Sequence, residues 1–94
     1  MVMDIEVIHD KNRERFVAEI EGYEAYASYS LQDNILKLYS TFTPHHLRGQ
    51  GIAETIVEHV FNYARENNLK VEPACSYVQT FLTRNKEFND LIID

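Results

Sequence analysis

The stretch that decides the fold is Thr43-Pro44-His45-His46-Leu47-Arg48-Gly49-Gln50-Gly51-Ile52-Ala53. The chain has three glycines and two prolines, and two of these glycines and one proline fall within this stretch. It separates residues 35–42, which have the pattern of a β-strand, from a helical pattern that begins near Ile52. Glycines at such a junction allow a tight turn and a close approach of the backbone to a ligand. The free amides of a first helical turn bind phosphate, so the stretch predicts a phosphate-bearing cofactor.

Upstream of this stretch, four short runs alternate apolar and polar residues and are separated by turn residues. The first contains Ile5 and Val7 and ends at the turn formed by residues 10–12. The next runs cover residues 15–21, 24–31 and 35–42. Consecutive strands joined by tight turns predict an antiparallel meander.

Downstream, the apolar residues recur at helical spacing up to Ala64, and Asn67-Asn68 is a plausible end for that helix. Residues 70–75 then form a short fifth strand, expected to be parallel to the fourth because a helix connects the two. Ser76 and Gln79 match a capping box, which predicts a second helix over residues 77–84, and residues 87–91 predict a short helical piece. The predicted fold class is α+β, a mostly antiparallel sheet of about five strands with a helix between strands 4 and 5 and a C-terminal helix.

Composition limits the classes of function. The 94 residues are expected to form a single domain, residues 1–94. The net charge of −6 argues against a nucleic-acid partner, which normally requires a basic surface. One cysteine fits a reducing compartment, no apolar run approaches the roughly 20 residues that span a membrane, and the N-terminus lacks the pattern of a signal peptide. We therefore expect a soluble, cytoplasmic protein with no membrane partner.

The glycine loop, residues 48–51, does not match the two best-known phosphate-binding motifs. Glu54 stands where a dinucleotide-binding fingerprint would have its third glycine, and a meander precedes the loop. No Gly-Lys-Ser/Thr follows it, so it is not a P-loop. On these residues alone, a tight turn without a ligand is as good an interpretation as a phosphate site.

The context of the glycines resembles the acetyl-CoA motif of GCN5-related N-acetyltransferases (GNAT). A strand comes first, followed by Arg48-Gly49-Gln50-Gly51-Ile52-Ala53, an amphipathic helix and another strand. That motif reads Gln/Arg-x-x-Gly-x-Gly/Ala, and its fixed positions are filled here by Arg48, Gly51 and Ala53. Two segments resemble more specifically the small, minimal members of this family. They are residues 41–53 and Val71-Glu72-Pro73-Ala74-Cys75-Ser76-Tyr77-Val78. The resemblance covers nearly the whole chain and implies a GNAT-like fold.

The resemblance also implies that the cofactor is acetyl-CoA or coenzyme A. The residues whose amides would hold its pyrophosphate are Arg48, Gly49, Gln50, Gly51, Ile52 and Ala53. Phe42 and Thr43, at the end of the fourth strand, would pair with the pantetheine arm. Arg84 and Lys86 are candidate contacts for the 3′-phosphate, with solvated surface charge as the alternative for both.

The candidate catalytic residues are Cys75, His45, His46 and Tyr77. Cys75 precedes a helix whose dipole favours a thiolate, and the resemblance implies a role in acetyl transfer; a buried small hydrophobe is the alternative. His45 or His46 could activate this thiol or contact phosphate, or could simply be solvated. Tyr77 resembles the tyrosine that protonates the departing CoA thiolate, with core packing as its alternative. No further ligands stand at metal-binding spacing, so no metal is expected.

Two departures from the family pattern leave the function open. Only residues 10–13 separate the first two strands, too few for the helices that shape the acceptor pocket in larger relatives, and the fourth strand carries no glutamate that could act as a base. One hypothesis is an N-acetyltransferase that acts on an unidentified amine, either a small molecule or a protein, by direct attack or through Cys75. The other is a non-catalytic CoA-binding or protein-interaction module.

Overall fold

The computed structural model describes residues 4–93 and contains a five-stranded sheet in the order β1-β2-β3-β4-β5. The strands are β1 (Ile8–Asp10), β2 (Arg15–Ile20), β3 (Tyr23–Gln32), β4 (Ile35–Phe42) and β5 (Lys70–Pro73). The helices are α1 (Ile52–Glu66) and α2 (Ser76–Arg84), with short 3₁₀ helices at His45–Leu47 and Lys86–Leu91. The pairings from β1 to β4 are antiparallel, and β5 runs parallel to β4. The predicted meander and the parallel fifth strand are thus confirmed.

Three details of the predicted elements are wrong. β1 starts at Ile8, because pairing with β2 begins at Ile8↔Val17, whereas Ile5 packs against the core without a strand partner. β5 ends at Pro73 instead of residue 75. The capping box does not form: Cys75 is the N-cap residue of α2 without a side-chain cap bond, and the Gln79 side-chain amide donates to the carbonyl of Pro73 at 3.0 Å.

The hydrophobic core lies between one face of the sheet and the helices. Small residues of β3, Ala25 and Ala27, are fully buried there and allow α1 to approach the sheet. Phe61 of α1 stacks on Phe81 of α2 and on Phe88, with ring centroids 5.7 and 5.2 Å apart. Both helices therefore cover the same face of the sheet. We call the opposite face, from which Val17 and its neighbours project, the open face.

An irregularity in β4 determines which of its side chains face the core. Tyr29 pairs with Leu38 and Ser28 pairs with Ser40, so Tyr39 is an extra residue in a β-bulge. The bulge reverses the alternation of β4. As a result, Thr41 lies on the core side, and Phe42 lies on the open face.

β4 and β5 separate just beyond this region. Their ladder ends at Leu38↔Pro73, and the N–H of Ala74 donates to the carbonyl of Leu38 at 3.0 Å. β4 continues to Phe42, whereas the chain after β5 turns into α2. This separation leaves a gap between the end of β4 and the start of α2.

Candidate functional site

A cleft of about 520 Å³ lies at the end of β4, next to this gap. Its walls are the end of β4, the glycine loop of residues 48–51, the first turn of α1 and one side of α2. The residues that line it are Thr41, Phe42, Thr43, Leu47, Arg48, Gly49, Gly51, Ile52, Ala53, Glu54, Tyr77 and Arg84. The structure therefore brings together most of the residues predicted to hold the cofactor. Gln50, which the motif also places there, is exposed and is not part of the wall.

The glycine loop has the backbone conformation that its sequence predicts. Gly49 has φ +83°, and Gly51, the N-cap residue of α1, has φ +80°, both in the left-handed region that side chains disfavour. No side chain in the described part of the chain caps α1, and the backbone N–H and hydroxyl of Thr55 both donate to the carbonyl of Gly51. The backbone amides of the first turn before Thr55 therefore lie at the cleft and are not capped by a described side chain. Free amides at a helix N-terminus can bind an anionic group.

Charged side chains surround this turn. Arg48 Nε donates to the carbonyl of Thr43 at 3.0 Å, which links the glycine loop to the end of β4. Arg84 adds a second positive charge from α2, and Glu54 adds a negative charge in the first turn of α1. Lys86, the other candidate for a 3′-phosphate contact, is not part of the cleft wall.

Cys75 lies beside the cleft, half-buried, with its Sγ 3.7 Å from the Oγ1 of Thr41. Burial by itself raises the pKa of the Cys75 thiol. Hydrogen bonding to the Thr41 hydroxyl and to the backbone of Tyr77 and Val78 opposes burial and outweighs it, so the pKa lies below its ordinary value. The start of α2 therefore favours the thiolate in the way a helix N-terminus is expected to.

Tyr77 lies in the wall of the cleft, on α2. Burial, with a smaller contribution from the charge of Glu54, raises the pKa of Tyr77, and the charge of Arg84 opposes this rise. The phenol therefore stays protonated at neutral pH. It is a potential proton donor to a group in the cleft.

The two histidines lie on the 3₁₀ helix His45–Leu47, and both are exposed. The ring of His46 contacts the ring of Tyr23 edge-on, with centroids 4.5 Å apart. Neither histidine is part of the cleft wall, and neither forms a hydrogen bond with Cys75. Their catalytic role stays a prediction.

Two polar residues of the site, Thr41 and Glu54, are not identified by the sequence pattern, and neither is the apolar Leu47. Thr41 contacts the thiol because the bulge at Tyr39 turns it toward the core, and the alternation of β4 gives no sign of this. The helical spacing only assigns Glu54 to the polar face of α1. Its place in the first turn of that helix would have indicated that it lies near the glycine loop. Within residues 4–93 there is no group of three or more His, Cys, Asp or Glu residues that could hold a metal ion.

The fold and the cleft define a class of protein. Residues 15–91 match the family model of GCN5-related N-acetyl-transferases, and the chain belongs to this family. Across the part of the chain that the structure describes, no helix is both long and apolar enough to cross a membrane.

Individual proteins are similar to this chain over most of its length. Protein NATD1 of Gallus gallus and that of Homo sapiens are each 29% identical to this chain over 84 residues, which cover 86% of this chain and 76% and 74% of theirs. The NMR structure of a GCN5-like protein of Staphylococcus aureus, proposed to be an N-acetyltransferase, superposes with a TM-score of 0.75 at 24% identity. That match covers 94% of this chain and 87% of the other and shows that the two share a fold.

Proposed function

We propose that this protein binds acetyl-CoA in the cleft and transfers the acetyl group to an amine. The observation that carries the proposal is the glycine loop, in which the left-handed Gly49 and Gly51 lead into the uncapped first turn of α1. The amides of this turn would bind the pyrophosphate, and Arg48 and Arg84 would add positive charge. Acetyl-CoA supplies an acyl group that is activated as a thioester.

The free edge of β4 supports the same site. Among residues 4–93, none pairs with this strand beyond Leu38 on the β5 side, and Phe42 and Thr43 line the cleft. Unpaired backbone groups at a strand edge bind extended chains that carry amides. The pantetheine arm is such a chain, and it would lead from the glycine loop toward Cys75.

Two residues would take part in the transfer. In one route the Cys75 thiolate takes the acetyl group and Tyr77 gives its proton to the departing sulfur. The acceptor amine would then take the acetyl group from Cys75 and lose a proton to the Tyr77 phenolate, which restores the Cys75 thiolate and the Tyr77 phenol. In the other route the amine attacks directly and Tyr77 alone supplies the proton. His45 and His46 stay candidates for the base in both routes. The net charge of −6 favours a cationic acceptor, and the single cysteine favours a reducing compartment such as the cytoplasm.

Calorimetric titration with acetyl-CoA tests the cofactor site, with CoA and ATP as comparison ligands. We expect micromolar binding of acetyl-CoA and CoA that weakens in Arg48→Ala and is lost in Gly51→Asp, which places a carboxylate where the phosphates would lie. Gly22→Asp is the matched control, because Gly22 also has a left-handed φ, +83°, in a turn outside the cleft. No binding at millimolar acetyl-CoA would refute the proposal.

The second candidate function is a non-catalytic CoA-binding module. It is favoured by the short connection between β1 and β2, which contains a turn and no helix. The two functions differ in turnover. CoA released from acetyl-CoA in the presence of protein, polyamine or small amine acceptors should be detectable by chromatography for an enzyme. Cys75→Ala should abolish that release and keep cofactor affinity if the thiol is essential; a module shows no release in either form.

A further inference from the structure

The open face of the sheet carries a regular pattern of charge. Along β2, Arg15, Val17 and Glu19 project from this face, because Phe16 and Ala18 between them belong to the core. The strand thus presents a positive, an apolar and a negative residue in sequence. This pattern is antisymmetric about Val17.

An apolar row crosses the strands through Val17. The pairing register aligns Ile8, Val17, Tyr26 and Phe42 on neighbouring strands. Ile8 is 58% exposed and Phe42 is 42% exposed, and the rings of Tyr26 and Phe42 are 5.4 Å apart. Both described α-helices pack on the other face, so no described helix covers this row. Its exposed apolar surface comes from Ile8 and Phe42 at the two ends, because Val17 in the row is only 6% exposed.

Some charges of the open face are neutralised internally. Arg13 Nε lies 2.6 Å from Asp10 Oδ2, and Arg13 Nη2 lies 3.2 Å from Glu24 Oε2. Asp10 also pairs in register with Arg15, but its carboxylate is engaged by Arg13. In contrast, neither Arg15 nor Glu19 forms an ion pair with any residue in the range 4–93.

The two residues differ in their surroundings in the isolated chain. The guanidinium of Arg15 makes a favourable cation–π contact with the ring of Tyr26, 3.9 Å away, but its Nε is buried without a hydrogen-bond partner among the described residues. Glu19 pairs in register with Glu24, whose carboxylate is already engaged by Arg13, so Glu19 has no cation beside it on β3. A buried donor without a partner costs free energy, and a carboxylate brought from outside the chain would satisfy it.

We propose that the open face binds a second copy of this chain. A two-fold axis that lies along the apolar row stacks the two rows on each other. The same axis places Glu19 of each copy opposite Arg15 of the other. The dimer therefore contains two Arg15–Glu19 pairs, one on each side of the axis. An axis along the strands would instead place Glu19 opposite Glu19. The charges therefore select one isologous arrangement, in which the sheets pack with aligned strands.

The size of the face predicts the strength of the association. Five strands about 4.8 Å apart, paired over some six residues, give a projected area on the order of 400 Å². This is well below the roughly 800 Å² per partner of a standard stable interface, so the dimer is weak and depends on concentration. Phe42 ends the apolar row and also lines the cleft, so the second copy would lie next to the cleft wall.

Sedimentation velocity from low micromolar to near-millimolar concentration tests the proposal. We expect the wild type to form a reversible dimer. Arg15→Glu and Glu19→Arg should each raise the dissociation constant at least about tenfold, because each places like charges opposite each other twice. An equimolar mixture of the two variants should associate again, since the acidic side chain at position 15 of one variant then faces the basic side chain at position 19 of the other. The doubly swapped chain should also dimerise.

The recovery in the mixture guards against misfolding, because an unfolded variant would not pair. Glu58→Arg makes the same charge change on the exposed side of α1 and should leave the association unchanged. A wild type that is monomeric at all concentrations overturns the proposal. So does a mixture that stays monomeric while the wild type dimerises, or association that both single variants retain. None of these outcomes depends on cofactor binding.

Discussion

Replacing Thr41 by valine should raise the pKa of Cys75. The substitution keeps the shape of the side chain and removes the hydroxyl that lies 3.7 Å from the sulfur. A hydrogen bond to a charged group is worth about 1.5–3 kcal/mol at good geometry. At this long distance we take about half of that, on the order of 1 kcal/mol, which corresponds to roughly a fivefold smaller thiolate fraction at a pH below the pKa. The backbone hydrogen bonds from Tyr77 and Val78 remain, so the thiolate should be weakened by no more than this.

The assay is the rate of alkylation of the thiol by iodoacetamide as a function of pH, followed by mass spectrometry. Cys75 is the one cysteine of the chain, so the modified mass reports on a single site. Thr83→Val is the matched control, because the hydroxyl of Thr83 donates to the carbonyl of Thr80 on the exposed side of α2. A pKa that is equal or lower in Thr41→Val than in the wild type, with the fold intact, would show that the hydroxyl does not stabilise the thiolate.

Three further predictions concern stability. Phe61→Ala should lower the free energy of unfolding by about 3–5 kcal/mol in urea titrations, because the ring is fully buried between two others. Gly51→Ala should cost about 1–2 kcal/mol, since φ is +80°, and lower the melting temperature by roughly 4–8 °C for each kcal/mol. Burial lowers the pKa of His9, the charge of Lys11 lowers it further, and the charge of Asp10 opposes the change. Between this lowered pKa and the ordinary histidine pKa of 6.5, the unfolded state therefore binds more protons than the folded state. The contribution of His9 to the free energy of unfolding is therefore fully present above pH 6.5 and is lost as the pH falls toward the lowered pKa. His9→Phe should make the free energy of unfolding depend less on pH in this range.

Each of these changes has a matched comparison. Phe42→Ala removes the same side chain at a half-exposed position and should cost much less than Phe61→Ala; equal losses would contradict the assigned core. Gly51→Asn should be milder than Gly51→Ala, because asparagine tolerates the left-handed region. An unfolding free energy that does not change between pH 7 and pH 5 in the wild type, or that changes equally in His9→Phe, would contradict the burial of the His9 ring.

Prediction from the sequence succeeds best where a local pattern determines the structure. The bounds of β4 and the start of α1 follow from residue alternation, helical spacing and the glycines between them, and the structure has both as predicted. The start of β1 is predicted too early because Ile5 alternates like a strand residue. In register Ile5 would lie opposite Ile20, yet the pairing stops at Ile8↔Val17. How far two strands stay paired depends on the packing around them, which alternation alone does not record.

The site is predictable to the same extent. The resemblance to the family assigns Phe42, Arg48 and Gly51 to one site, and the structure brings them to one cleft. The contact of Thr41 with Cys75 is not predictable, because it joins residues 34 positions apart through a bulge that no residue type marks. Side-chain orientation after a bulge depends on pairing between strands, which a single sequence does not contain.

The bulge at Tyr39 also determines where β4 can tolerate a change of length. Tyr39 is the extra residue of the strand, and its ring is about half exposed. A deletion of this residue would leave Leu38 and Ser40 opposite their present partners on β3, so the side chains beyond them would keep their faces. The strand would lose only the additional local twist that a bulge introduces. A deletion between Ile35 and Leu38 would instead move a core leucine to the open face. Members of this family that differ in the length of this strand should therefore differ at the position of Tyr39.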